Sequence, residues 1–384
     1  MSAQLEIQIC GSMSEIPAWQ WNTLIGTELP FLKHEYLTAL ENNQAVGKKF
    51  GWIPQYLVAW QVNNNEKILA GAVPMYLKFN SYGEFVFDWA WADAYTRSGL
   101  EYYPKLVIAT PYNPVTGHRL LLNPAFHKNE ISNILIKSVN QHATTLKVSS
   151  VHWLFPTASE MTLLKENKLM HRVGCQFHWS NKDYTSFEDY LGNMTSKNRK
   201  KINRERRRTV EQNISFELLE GDQINEEQWA IYHHFYASTF DKKGGIPTLS
   251  LNFFKEIGRT MPKNILLVLA KHQDEYVAAA FNLKDQNCLY GRHWGCIDEF
   301  HSLHFETCYY QGLEYCINNK LSGFEPGAQG EHKISRGFLP TVTWSAHSIT
   351  HPEFNSVIKD FLDREEVGII HYIDSLKSHS PFKQ

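Results

Sequence analysis

A pattern of β-rich runs that occurs twice constrains this chain more than any other feature of its sequence. In the first half, QYLVAW, a polar turn NNNEK, ILAGAVPMYLKF and GEFVFDWAWAD form consecutive runs separated by short polar turns, the mark of a hairpin-connected meander. In the second half, NILLVLAKHQDEYVAAAFNLKDQNCLYGRHWGC repeats the arrangement, and its middle run AAAFNLK corresponds to AGAVPMYLK. The duplication predicts two domains of like fold. A length of 384 residues agrees, because a single hydrophobic core rarely serves so long a chain.

Each meander is followed by a helix and a further strand. These are a helix around 128 to 146 with the strand SVHWLF, and a helix from about 302 to 319 with the strand GFEP. NEEQWAIYHHFYASTF places Trp229, Tyr232, Tyr236 and Phe240 at helical spacing, a core-facing stripe. The expected fold class is therefore α/β (α+β), with two tandem domains, each a mixed, largely antiparallel sheet flanked by helices. The boundary falls near residue 180. CQFHW closes the first half, SNKD is turn-like, and SFEDYLGNM opens a helix with Ser186 as N-cap and Glu188 and Asp189 in its first turn. This gives domains 1–180 and 181–384, with the tail beyond about 351 counted in the second as one or two helices.

Composition excludes several classes. Hydrophobic residues make up 43% and aromatic residues 13%, enough for a globular core. A formal net charge of -2 argues against a general nucleic-acid coat. No basic start precedes an apolar run, so no signal peptide is expected. The longest aliphatic stretch, Ile265 to Ala270, is far short of the roughly 20 residues of a membrane span. Six cysteines without CxxC spacing favour reduced thiols in a cytoplasmic protein, with neither disulfide nor zinc site. The chain carries no Walker or dinucleotide-binding pattern.

Against that neutral background, residues 196 to 208 (SKNRKKINRERRR) hold Lys197, Arg199, Lys200, Lys201, Arg204, Arg206, Arg207 and Arg208 against the single acid Glu205. Cations all round predict a helix that projects from the body or crosses a domain edge. It reads either as a solvated face or as a phosphate-attracting surface for tRNA, the pyrophosphate of coenzyme A or a lipid-linked diphosphate. Arg199, Lys200 and Arg204 are the candidates for donor binding.

A second charged segment is GFEPGAQGEHKISRGFLP, residues 323 to 340. Gly327, Gly330 and Gly337 permit an unusual backbone path. Lys333 and Arg336 supply donors for a carboxylate or phosphate, and Glu331 and His332 are candidate proton acceptors for an amine that must lose its proton before attack. The bland reading is a turn whose charges face water. Two first-half segments are weaker candidates. In VIATPYNPVTGHRLLL, Gly117 and Arg119 bind an anionic cofactor or make a rigid turn. In FDWAWADAY, Asp88, Trp91, Asp93 and Tyr95 lie on one expected strand and its exit, flooring a substrate pocket or forming a buried aromatic strand.

Four stretches, FDWAWADAYTRSGLEYYPKL, TPYNPVTGHRLL, LHFETCYYQGLEYC and FEPGAQGEHKISRGFLP, together resemble the FemAB-like group of predicted N-acyltransferases, the peptidoglycan-biosynthesis type within the GNAT superfamily. The resemblance runs from about residue 10 to 350 and implies tandem GNAT-like domains, with donor and acceptor meeting in a cleft associated with the second. The better-known Fem transferases use aminoacyl-tRNA to extend the peptide of a cell-wall precursor. Their second domain ends in a Phe-Lys-x-x-Phe-like segment whose lysine is functionally important. HKISRGF is similar, so the resemblance places Lys333 in that role, with His332 where the family has Phe. The basic helix resembles the Arg/Lys-rich helix opening the second domain of those enzymes.

The usual coenzyme A motif Q/R-x-x-G-x-G/A is absent in clean form. The superfamily nevertheless favours acyl-coenzyme A as co-substrate, with aminoacyl-tRNA as the rival and a small molecule or cell-wall precursor as amine acceptor. No convincing Ser-His-Asp or Cys-His arrangement stands in the sequence, which suits direct attack by the amine. A non-catalytic phosphate- or RNA-binding protein on the same scaffold is the alternative.

Overall fold

The computed structural model describes residues 4–26, 29–63, 66–242, 244–297, 300–328 and 330–383. Its strands are β1 (Gln4–Cys10), β2 (Trp52–Pro54), β3 (Tyr56–Asn63), β4 (Glu66–Val73), β5 (Met75–Lys78), β6 (Lys105–Ile108), β7 (Leu121–Leu122), β8 (Ser150–Leu154), β9 (Met170–Ser180), β10 (Ile214–Glu220), β11 (Ile265–His272), β12 (Glu275–Lys284), β13 (Cys288–Cys296), β14 (Gly323–Glu325) and β15 (Leu339–Ile349). They fall into two units, residues 1–175 with 342–372 and residues 176–341 with 373–384.

The first unit carries the antiparallel sheet β1-β3-β4-β7 and the strand series β15-β8-β6-β5-β2, in which β6 and β8 are parallel and the other pairs antiparallel. ILAGAVPMYLKF reads as one strand in the sequence but divides at Pro74, where a residue without an N–H ends β4 and β5 begins in the other sheet. In the preceding turn, Asn64 and Asn65 lie outside the described residues, and Asn63 pairs with Glu66. β6 and β8 are buried along their whole lengths. The helix Lys128–Leu146, expected from the sequence, lays Ile131, Leu135, Ile136 and Val139 against the core that holds them. Burying each such side chain contributes about 1.5–3 kcal/mol.

The third run of the first meander corrects the sequence reading. FDWAWADAY is no strand: Trp89–Arg97 is a helix preceded by Asp88, and the third strand of the meander is β6. Ala90, Ala92 and Ala94 favour the helix, and buried Trp91 and Tyr95 sit four residues apart, which puts them on one helical face. That face packs with Tyr102, Ile349, Ile358 and Leu362. The last two lie on the helix Pro352–Lys377, a single helix where one or two were expected. Residues 342–372 thus belong to the first unit, not to the second as a single cut at 180 implies.

In the second unit the order is β10-β11-β12-β13-β14-β9, with β13 and β14 parallel and the other pairs antiparallel. Trp229, Tyr232 and Tyr236 of the helix Glu226–Asp241 are buried as the spacing predicts, and Phe240 is half-buried. Tyr232 meets Phe254 edge-on at 4.9 Å and stacks on Phe281 at 5.4 Å. Ser186 caps the helix Phe187–Gly192 by accepting from the Asp189 N–H at 3.1 Å.

The basic helix, Ser196–Glu211, does not project. Ile202, Glu205 and Thr209 form a narrow buried stripe at helical spacing, packed within the second unit. None of the six cysteines is in a disulfide, and among the described residues no helix is long and apolar enough to cross a membrane.

Candidate active site

β13 and β14 stay paired for only three residues, from Cys288 with Gly323 to Tyr290 with Glu325. Pro326 ends β14 while β13 runs on, and a cavity of about 290 Å3 opens between Gly291–Trp294 and Pro326–Ala328. The register between β12 and β13 shifts at Arg292, a bulge of the kind that re-aims side chains beside sites. A crevice beyond the carboxyl end of parallel strands is where open sheets place ligands.

Two further elements complete the walls. The helix expected from about 302 to 319 is interrupted by a π-helical turn, Glu306–Tyr310, between Leu303–Phe305 and Gln311–Asn318. Such widened turns occur often at functional sites, and this one brings Cys308 and Tyr309 to the cavity beside His304. The 3-10 turn Glu331–Arg336 supplies His332 and Lys333.

Lys333 is 3% exposed, and its Nζ donates to the Gly327 carbonyl at 2.8 Å. Gly327 reaches that position with a φ of 97°, which favours glycine. Burial brings the Lys333 ammonium down to about 8, with Cys308 opposing and Arg292 adding to the effect. Among the described residues, Arg292 and Lys333 line the cavity and no Asp or Glu does. His293 is lowered to about 3 by burial and by Arg292, and His332 is lowered by burial, Arg336, Lys333 and Lys201. Both are neutral imidazoles at neutral pH.

The other two residues expected in this loop are placed elsewhere. Glu331 is exposed at the start of the turn and does not line the cavity. Arg336 is 1% exposed with its donors engaged. Nη2 and Nε reach the Glu205 carboxylate at 2.8 and 3.1 Å, Nε also reaches Tyr310 Oη at 3.0 Å, and Nη1 donates to the His332 carbonyl at 2.7 Å. The guanidinium lies 3.4 Å from the Phe305 ring centroid. Arg336 therefore ties the loop down, correcting the expectation that it offers its N–H groups to a carboxylate or phosphate of a ligand. Gly337 follows with a φ of 90°, where a Cβ would overlap the hydroxyl of Tyr190 that donates to the Arg336 carbonyl at 2.6 Å.

A Cys-His pair, which the sequence reading did not find, stands in this cavity. Cys308 Sγ is 3.5 Å from His304 Nδ1, His304 Nε2 is 3.4 Å from Tyr309 Oη, and Tyr309 Oη is 3.0 Å from His332 Nε2. The four-residue spacing in HFETC was the available signal, since i and i+4 share a helical face.

On the basic helix, several cations serve packing. Lys201 Nζ donates to Ser335 Oγ at 2.9 Å, and Arg206 pairs with Glu306 at 3.2 Å and Glu314 at 2.7 Å while lying 4.4 Å from the Phe187 ring centroid. Lys197, Lys200 and Arg204 are exposed and share the outer face by their spacing. Arg199 is half-buried on the opposite side.

The first-half candidates are structural. Arg119 is fully buried and donates to the backbone carbonyls of Leu154 (2.8 Å), Gly117 (3.1 Å), His118 (3.1 Å) and Val115 (2.6 Å). Gly117 is buried as well, its N–H donating to the Phe155 carbonyl at 3.0 Å, and a Cβ there would overlap Leu29. Neither reaches an anion at the surface, so the rigid-turn reading stands.

Asp88 is 2% exposed. It accepts from Tyr102 Oη at 2.7 Å and pairs with buried Lys105, whose Nζ also meets Glu84 at 2.8 Å. Burial works against the Asp88 charge, but Lys105 and His152 outweigh it and hold the carboxyl below its usual range. Trp91 packs against the rings of His152 and His347, whose Nδ1 atoms are 2.7 Å apart, and Tyr95 against Phe354. Asp93 alone is exposed, paired with Arg97 at 3.0 Å. These residues make a buried network in the first unit.

Fold and cavity together define a class: a two-unit α/β protein with mixed sheets flanked by helices and a cationic cavity at a splayed strand pair. The chain matches the FemAB-like family, described by peptidoglycan biosynthesis/recognition, over residues 12–384, and it belongs to that family. Membership supports acyl or aminoacyl transfer linked to peptidoglycan biosynthesis.

Among solved structures, the chain is similar to FemX, at 10% identity over 92% of this chain and 100% of that one, with a TM-score of 0.54. It is also similar to the C-terminal domain of a putative lysylphosphatidylglycerol synthetase from Agrobacterium fabrum, at 6% identity over 91% and 96% of the two chains, with a TM-score of 0.53. Likeness at these identities concerns the fold alone. No curated protein matches the chain.

Proposed function

We propose that this protein is an N-acyltransferase that moves an acyl or aminoacyl group from an activated donor to an amine in the cavity of the second unit. The observation that carries the reading is the buried Lys333, set with Arg292 in a wall that holds no acid among the described residues. Such a wall favours negative charge, and a carbonyl under attack develops an oxyanion. Lys333, protonated below about pH 8, holds that oxygen. His332, a neutral and exposed residue, takes the proton that the attacking ammonium must shed.

Acyl-coenzyme A is the favoured donor, its phosphates held by Lys200 and Arg204. The acceptor is a small-molecule or cell-wall-precursor amine, in keeping with the family's description. The outward face of Lys197, Lys200 and Arg204 lies outside the cavity lining and also suits a longer polyanion, so aminoacyl-tRNA is the second reading. A mixed pool of acyl-coenzyme A species and charged tRNA, offered with candidate amines and followed by mass spectrometry, tests the proposal. An acylated amine supports it and identifies the donor. Salt-sensitive binding without product replaces it with a non-catalytic anion-binding role.

A further inference from the structure

We infer that Cys308 is an acyl-accepting nucleophile, so that transfer in this cavity passes through a thioester on the protein. The inference rests on the acyl-transfer reading above and adds a step that the direct route lacks.

Three observations converge on it. First, Cys308 is the cysteine that lines the cavity, and its Sγ lies within hydrogen-bonding reach of His304 Nδ1, 3.5 Å away. Burial keeps the resting thiol protonated, raising it well above its usual value even though Lys333 works the other way. A protonated nucleophile needs a base at hand, and His304 is that base.

Second, one set of tautomers satisfies the whole series of contacts. The Cys308 thiol donates to His304 Nδ1, His304 Nε2–H donates to Tyr309 Oη across 3.4 Å, and the Tyr309 hydroxyl donates to His332 Nε2 across 3.0 Å. The series runs from a half-buried cysteine to an exposed histidine, a path by which a proton reaches solvent. Third, Lys333 is a buried cation that, among the described residues, lies within 4.0 Å of no carboxylate. Its Nζ donates to the single carbonyl of Gly327. Spare donors on a buried ammonium are suited to the oxyanion formed when sulfur attacks a carbonyl.

The step balances. Cys308 Sγ forms a bond to the acyl carbon as its proton passes to His304, and the donor's bond from carbonyl carbon to sulfur or oxygen breaks. The departing thiolate or alkoxide takes the proton. The amine then attacks the new thioester, the bond from sulfur to carbon breaks, and the amine's proton returns through His304 to the Cys308 thiolate.

The test uses the full chain and p-nitrophenyl acetate, an activated ester independent of the natural donor. After an acid quench, peptide mass analysis is expected to find one acetyl group on the Cys308 peptide, lost when hydroxylamine or a small primary amine is added. His304→Gln is expected to slow labelling by about a hundredfold at neutral pH, with recovery at alkaline pH as the thiol ionises unaided. Cys308→Ser and Cys308→Ala, each checked for an unchanged melting curve, are expected to lose amine acylation. Retention of acylation by either variant overturns the nucleophile and leaves acyl transfer intact. Labelling of Cys308 that no amine removes also overturns it. If no donor yields acylated amine with the wild-type protein, the functional reading itself falls.

Discussion

Arg336 and Glu205 form a buried two-point ion pair, with Nη2 to Oε1 at 2.8 Å and Nε to Oε2 at 3.1 Å. It joins the turn that presents Lys333 to the basic helix, so these two charged segments are one framework. Tyr310 shares both partners, touching Arg336 Nε at 3.0 Å and hydrogen-bonding Glu205.

Breaking one side of this pair strands a buried charge, so Arg336→Ala or Glu205→Ala is expected to cost about 3–5 kcal/mol. Denaturant unfolding checks it. The double substitution should cost less than the sum of the two, because no isolated charge remains. Additive losses would mean that the pair is not coupled.

Lys333→Met, by contrast, is expected to abolish amine acylation while the melting temperature stays level or rises, since it removes a buried cation and leaves the Gly327 carbonyl as the group to be resolvated. Thermal melting beside a turnover assay separates the outcomes. A large fall in stability would make Lys333 a structural residue.

Lys333 also predicts how stability changes with pH. Below about pH 8 both folded and unfolded chains carry the proton, and the cost of burying the charge is fully present. Between about 8 and the ordinary lysine value of 10.5 the folded protein has released the proton and the unfolded chain has not, so stability rises with pH by up to about 3 kcal/mol. Lys78, lowered to about 7 chiefly by burial, contributes in the same direction from a lower pH. Subtracting the Lys333→Met profile isolates the Lys333 share. Parallel profiles would show that Lys333 does not titrate in this range.

On the basic helix, reversing Lys200 and Arg204 to Glu is expected to leave the melting curve within about 0.5 kcal/mol, because both are exposed. It should weaken donor binding and flatten its salt dependence. Arg206→Ala, which removes the pairs to Glu306 and Glu314, should destabilise without that signature. Equal salt dependence in wild type and charge-reversed protein would exclude this face from donor binding.

In the first unit, Lys105→Ala is expected to be among the most damaging single substitutions, at about 3–5 kcal/mol, because it leaves Asp88 buried without its cation and Glu84 with only Lys78, 3.9 Å away. Lowering the pH should partly rescue the variant by neutralising the carboxylates, whereas wild type should lose stability over the same acid range as its ion-paired Asp88 protonates. Absence of rescue would locate the damage in lost packing.

The sequence alone determined what is periodic or local. The twofold repeat, the helices 128–146 and 196–208, the Ser186 cap and the glycine-bearing turn were all legible, because spacing and capping act over a few residues. Two local signals were missed: the four-residue spacing of His304 and Cys308, and alanines alternating with aromatics in FDWAWADAY, which read as a strand although Trp91 and Tyr95 also satisfy a helical face.

Only the tertiary structure decided which charges face a ligand. Lys333 and Arg336 stand three residues apart with similar chemistry, yet one enters a cavity lined by no acid among the described residues and the other is consumed by Glu205, more than a hundred positions away. Arg119 likewise looks like an anion ligand until its donors are found on four carbonyls. A side chain's role depends on the partners that desolvate and satisfy it, and those partners come from distant parts of the chain that only folding brings together.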